Sequence, residues 1–202
     1  MPLKVRSYEK EHLDKDNIAT PDLFRNLAEL DTINKWLGGY NASLKGVNDI
    51  LKTKKKLSSV LDIGFGGGDS IKQLALLADK LKITLFFYGI DLNEDCVKYA
   101  NNNLLSVNNK ELICDDYRNI SREFLNQIDV IHCSLFLHHL TDLEIVNLFK
   151  FCKTTNCIVL VNDLHRHWFA YYTIKFLSAI FSKSYLVKHD APLSVKRGFK
   201  KD

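Results

Sequence analysis

The 202-residue chain is poor in the residues that punctuate or staple a fold. It has three prolines and nine glycines, with no Pro/Gly-rich stretch, no internal repeat and no low-complexity segment. The sequence therefore offers no hinge between domains. Its five cysteines (Cys96, Cys114, Cys133, Cys152, Cys157) are odd in number and never spaced CxxC, which argues against a disulfide framework and against structural zinc. Cys114, Cys133 and Cys157 lie in or beside apolar strand-like runs, where a free thiol behaves as a small hydrophobe. A reduced, cytoplasmic chain is expected. No apolar run approaches the roughly 20 residues of a membrane span, and residues 1–7 lack the apolar stretch of a signal peptide. A dominant charge is missing too: the formal net charge is +4, with basic clusters at residues 52–56 and 196–201. Such clusters read as solvated faces, and no nucleic-acid partner is expected.

What is present is the pattern of one α/β domain. Strand-like runs at 58–63, 83–90, 111–114, 128–133 and 157–162 alternate with helical stretches at 69–80, 93–104, 141–152 and 166–181. Such alternation predicts right-handed βαβ units in a doubly wound parallel sheet. Two helices precede it. Leu23, Leu27, Leu30, Ile33 and Leu37 share one face of a helix over 21–37, with Thr20 as N-cap, Pro21 at the first position and Gly38-Gly39 as the stop. The second covers 41–52. Residues 168–181 are apolar on almost every side, which calls for a buried helix or one that covers something greasy. A short run at Tyr185-Leu186-Val187, a polar turn and a basic tail follow.

The chemistry gathers at the strand ends. Val60-Leu61-Asp62-Ile63 runs into Gly64-Phe65-Gly66-Gly67-Gly68, a turn tight enough to need glycine and to let a ligand touch the backbone. No phosphate-cradling lysine follows, so this is not a P-loop. Asp91-Leu92 closes the next strand, about twenty residues on, where an acid accepts from both ribose hydroxyls. Asp115-Asp116 closes the third, placed to meet an adenine amine.

With Asp62-x-Gly64-x-Gly66-x-Gly68, then Asp91, Asp115 and the run over residues 129–140 (DVIHCSLFLHHL), the chain resembles the class I S-adenosylmethionine-dependent methyltransferases. The resemblance covers residues 57–165. It implies that S-adenosyl-L-methionine is the cofactor, that Asp62 and Gly64, Phe65, Gly66 and Gly68 border its methionine part, and that Asp91 holds the ribose. It also implies that Asp115 faces adenine and that Ser134 and Leu135 line the sulfonium side. Phe65 stands where the family often has a small or polar residue. Residues 33–39 and 161–167 look like a bacterial small-molecule subgroup, related to enzymes that methylate quinone precursors. In that subgroup residues 1–52 would form a helical lid over a 57–165 core, with 166–202 as C-terminal helix and tail of the same single domain. The family's final antiparallel hairpin is not found in the sequence. A cofactor-binding member without turnover is therefore the rival reading.

Methyl transfer from a sulfonium needs alignment, exclusion of water and removal of one proton. His165 and His167, after the fifth strand, and His138, after the fourth, are the candidate bases. Trp168, Phe169, Tyr171 and Tyr172 suit an aromatic wall. O-methylation of a small aromatic or lipophilic acceptor is expected, with C-methylation of a quinone-like precursor as the alternative. No metal is expected: Asn162-Asp163 offers half of a magnesium site, but Cys133-Ser134 supplies no carboxylate opposite it.

Overall fold

A computed structural model describes residues 3–15, 18–53 and 57–200. Lys54, Lys55, Lys56 and Lys201 of the two basic clusters lie outside the described residues. The sheet has five parallel strands: β1 (Ser59–Ile63), β2 (Phe86–Asp91), β3 (Lys110–Cys114), β4 (Val130–Ser134) and β5 (Ile158–Asn162). Their order is β3-β2-β1-β4-β5. Strand order thus reverses beside β1, and the carboxyl ends of β1 and β4 flank the crevice where open α/β sheets hold ligands. β5 lies at an edge, and no antiparallel strand pairs with it among the described residues.

Each strand is a short apolar run because a parallel sheet is covered on both faces. Side chains alternate between those faces. Val60 packs with Val47, Ile71, Leu74, Phe87 and Leu104 on one side. Its neighbour Leu61 packs with Ile90, Ile131, Cys133 and Leu148 on the other. Helices α2 (Asn41–Thr53), α3 (Asp69–Leu81) and α4 (Glu94–Asn103) cover the first face, while the short α5 (Arg122–Leu125) and α6 (Asp142–Cys152) cover the second. Leu61 and Ile131 are fully buried, each contributing about 2 kcal/mol of apolar burial.

Three expectations change. Helix α1 spans Thr20–Leu37, with Ala19 rather than Thr20 as its N-cap and Pro21 at the second position. The Thr20 hydroxyl instead donates to Asp95 Oδ2 at 2.7 Å, tying α1 to α4. Cys114, expected in a buried run, is exposed because β3 is the other edge strand. The third change is at the C-terminal end. After α7 (Trp168–Phe181), the expected turn and tail form a thirteen-residue helix, α8 (Tyr185–Arg197), with Pro192 inside it. Its polar sequence reads as a turn, yet Val187, Ala191 and Val195 pack on Tyr171 and Ile174 of α7. Tertiary burial outweighs the lost proline hydrogen bond. Asp190 of α8 accepts from the His12 and Leu13 amides at 2.8 and 2.9 Å, so α8 also anchors the N-terminal segment.

Candidate active site

A cavity of about 1060 Å³ opens beyond the carboxyl ends of the strands. It is bounded by the glycine turn, the ends of β2 to β5, α1, α7, α8 and the N-terminal segment. That volume lies at the top of the range of ligand pockets, with room for a nucleoside and a second small molecule.

One wall is built by the glycine turn. Gly64, Gly66 and Gly68 all have positive φ, at 69°, 53° and 77°, a region that disfavours side chains. A Cβ on Gly66 would find only Leu27 Cδ2, at 3.8 Å, so this backbone is open to a ligand. Gly68 faces away: a Cβ there would meet Leu104 and Ala100, which makes it the packing glycine between α3 and α4. Phe65 turns its ring into the core, where Gly89 leaves room; a Cβ on Gly89 would lie 2.6 Å from that ring. The large residue therefore fits without filling the ligand space.

Acids surround the turn. Asp91 accepts from the Gly66 N–H at 2.8 Å and the Asn93 N–H at 2.9 Å. Burial pushes its carboxyl up, partly offset by those amides. Asp69 is pushed up to about 6, first by burial and then by the nearby Asp31; its Oδ1 accepts from Asn103 Nδ2 at 2.7 Å. Asp62 lies behind the cavity, 1% exposed. A buried relay reaches it: Asn162 Nδ2 donates to Ser43 Oγ (3.0 Å), which bonds His132 Nε2 (2.8 Å), and His132 Nδ1 bonds Asp62 Oδ1 (2.9 Å). Asp62 Oδ2 has no hydrogen-bond partner among the described residues. This set opposes a phosphate and fits a ligand carrying sulfonium and ammonium charge.

The rest of this wall follows the strand ends. Leu92 is exposed at the cavity, and Asp115 and Asp116 line it. Asp115 Oδ1 accepts from Asn119 Nδ2 at 2.7 Å, and Asp116 pairs with Arg118. Ser134 and Leu135 line the cavity beyond β4. Leu135 holds φ 52°, rare for a branched side chain, while its N–H donates to Asn162 O at 2.8 Å.

The opposite wall holds His138, one of the candidate bases, among partners that sequence reasoning missed. His138 is buried, with Nδ1 2.7 Å from Asp163 Oδ1. His139 Nδ1 lies 2.8 Å from Asp14 Oδ1. Glu11, 2% exposed, sits between them, with Ser194 Oγ donating to its Oε1 at 2.8 Å. Arg197 closes this corner by donating to the carbonyls of Glu9, His138 and His139 and to Asp14. Burial pushes the Glu11 carboxyl up. Burial also works against ionised Asp14 and Asp163, but their histidine bonds prevail and hold both low. Glu11 and Asp14 come from a segment without apolar periodicity, so no local signal marks them.

Of the candidate bases, His138 and His165 line the cavity and His167 does not. His167 Nδ1 instead accepts the Phe169 N–H at 3.3 Å, capping α7. Of the four proposed wall aromatics only Phe169 lines the cavity. Helix α7 buries Tyr171, Ile174 and Ser178, whereas Trp168, Tyr172, Phe176 and Ile180 are exposed. Among the described residues no helix is long and apolar enough to cross a membrane.

Residues 60–155 match the family described as "Methyltransferase domain". No curated protein sequence matches the chain. Among solved structures, the plantazolicin methyltransferase BpumL in complex with a pentazolic desmethylPZN analog and SAH superposes with a TM-score of 0.60 at 20% identity. Its complex with a monoazolic analog and SAH gives 0.59 at 22%. Both comparisons cover 86% of this chain, which spans only 63% of the length of BpumL. The fold is thus the Rossmann-like fold of the class I methyltransferases. The methyltransferase-domain match over residues 60–155 therefore falls on the strands and turns that build this fold.

Proposed function

We propose that this chain transfers the methyl group of S-adenosylmethionine to an oxygen of a small aromatic or lipophilic acceptor. One observation carries the reading: a single cavity joins the open glycine turn and its acids to an apolar and histidine-bearing wall. Asp91 would hold the ribose hydroxyls, Asp115 and Leu92 would border the adenine, and the Gly64 and Gly66 backbone would receive the methionine part. Asp62 and Asp69 would set the field for its positive charges from behind and beside the turn, and Ser134 and Leu135 would flank the sulfonium. S-adenosylmethionine supplies the electrophilic methyl.

The protein's own part is alignment and proton removal. Leu30, Ile33 and Leu37 of α1 and Phe169 and Ile174 of α7 line the acceptor side, where an apolar molecule would displace water. Helix α1 acts as the lid, while α2 packs on the sheet; Gly38 and Gly39 reach the cavity, and Asn162 Nδ2 donates to the Gly39 carbonyl at 2.6 Å. His165, exposed at the rim, is the base for the acceptor hydroxyl, through an imidazole nitrogen that takes up the proton. Unpaired cysteines suit a cytoplasmic setting. Isothermal titration with S-adenosylhomocysteine tests the reading: saturable binding is expected, and absence of heat and of thermal stabilisation would refute it.

A further inference from the structure

We infer that Glu11, His138 and His139 form a binding site for a divalent transition-metal ion on the acceptor wall. The site deepens the proposed methyl transfer and rests on that reading only for what the ion would face. Each histidine has Nδ1 held by a carboxylate, Asp163 at 2.7 Å and Asp14 at 2.8 Å. With Nδ1 donating, each Nε2 keeps its lone pair, and both turn toward Glu11. His138 Nε2 is 3.8 Å from Glu11 Oε1 and His139 Nε2 is 4.0 Å from Oε2. One ligand atom from each of the three lies within 4.8 Å of the others. Metal–ligand bonds of about 2.0–2.2 Å set ligand atoms roughly 3.3–3.6 Å apart around a tetrahedral ion, so side-chain rotations that close the pairs by about 0.5–1 Å complete the site.

The surroundings match what such an ion requires. Carboxylate-held imidazoles are the usual outer shell of metal-bound histidine, fixing the tautomer and raising basicity. Glu11 is buried and fixed by Ser194. Arg197, 3.9 Å from Glu11 Oε1, directs its donors to Asp14 and to backbone carbonyls, not to Glu11. Two imidazoles and one carboxylate suit zinc, iron or manganese far better than magnesium. The sequence expectation of no metal rested on the ends of β4 and β5 and on cysteine spacing; the third ligand here comes from the N-terminal segment. All three ligands line the cavity, so the open positions of a bound ion would face an acceptor oxygen.

Zinc is the probe. Chelator-stripped protein is titrated with zinc, and cobalt is added separately to read ligand-field absorption. One equivalent per chain is expected, with affinity lower by on the order of 100-fold or more in Glu11→Gln and His139→Asn. Circular dichroism confirms that the variants fold; if His139→Asn does not, Glu11→Gln decides. No zinc uptake, or equal uptake by wild type and Glu11→Gln, overturns the site. S-adenosylhomocysteine titration of the same wild-type preparation separates the two claims. Nucleoside bound without zinc refutes only the metal site, and zinc bound without nucleoside refutes only the cofactor reading.

Discussion

The two walls of the cavity are built on opposite plans. The cofactor wall is continuous in sequence: β1, the glycine turn, β2 and β3 deliver it between residues 62 and 116, mostly through backbone and strand-end acids. The facing wall joins both ends of the chain: Glu11 and Asp14 meet His138, His139, Asp163 and Arg197 in one hydrogen-bonded corner. The first plan places a constant ligand with little side-chain specificity. The second gathers residues brought together only by the finished fold, and on the proposed reading these would face the acceptor.

The comparison breaks most severely at Arg197. Arg197→Ala removes the donors of four acceptors in a buried corner, and a loss of about 3–5 kcal/mol is expected. Chemical denaturation measures it. If the walls are as separate as their construction suggests, folded variant at low temperature keeps its S-adenosylhomocysteine affinity.

Asp69 tests the cofactor wall by pH. Its folded value of about 6 lies above the ordinary carboxylate value of 3.8, so the folded state holds a proton that the unfolded chain has released. Its contribution to the stability of the ligand-free protein should therefore fall as pH rises from about 4 to 6, by about 3 kcal/mol. Asp69→Asn should flatten that slope in denaturation curves. Affinity for S-adenosylmethionine should move the other way, rising as the carboxylate ionises toward a cationic ligand.

Asp91→Ala is expected to weaken S-adenosylhomocysteine by about 2 kcal/mol, or roughly 30-fold, through lost bonds to ribose. Unchanged affinity by calorimetry would move the ribose elsewhere. The smallest effect sharpens the facing wall: His167→Ala should cost only about 0.5 kcal/mol as a lost surface cap, with turnover retained. His165→Ala, at the rim, should lower turnover about 100-fold. Equal losses in both would dissolve the distinction between them.

The same contrast explains what could be read from sequence. Strand ends and glycines are local, so a few residues each were enough to place Asp62, Asp91 and the turn at the carboxyl ends of β1 and β2. Even there, Asp62 and Gly68 prove to stand behind the cavity wall, since spacing fixes a position along the chain but not a side chain's direction. Helix α8 was hidden by His189-Asp190 and Pro192, whose burial depends on α7 and the N-terminal segment. Glu11 and Asp14 were illegible because their partners lie more than a hundred positions away.

Phe65 and Gly89 carry a lesson about how this turn can vary. A ring at one position occupies the volume that any side chain at the other would need. Neither residue can be exchanged alone: a side chain at 89 would meet the Phe65 ring at 2.6 Å and Leu112 Cδ2 at 2.8 Å, and a small residue at 65 would leave a void beneath the turn. The two positions should drift as a linked pair, so a graft of a glycine turn from another methyltransferase will succeed only if residue 89 travels with it.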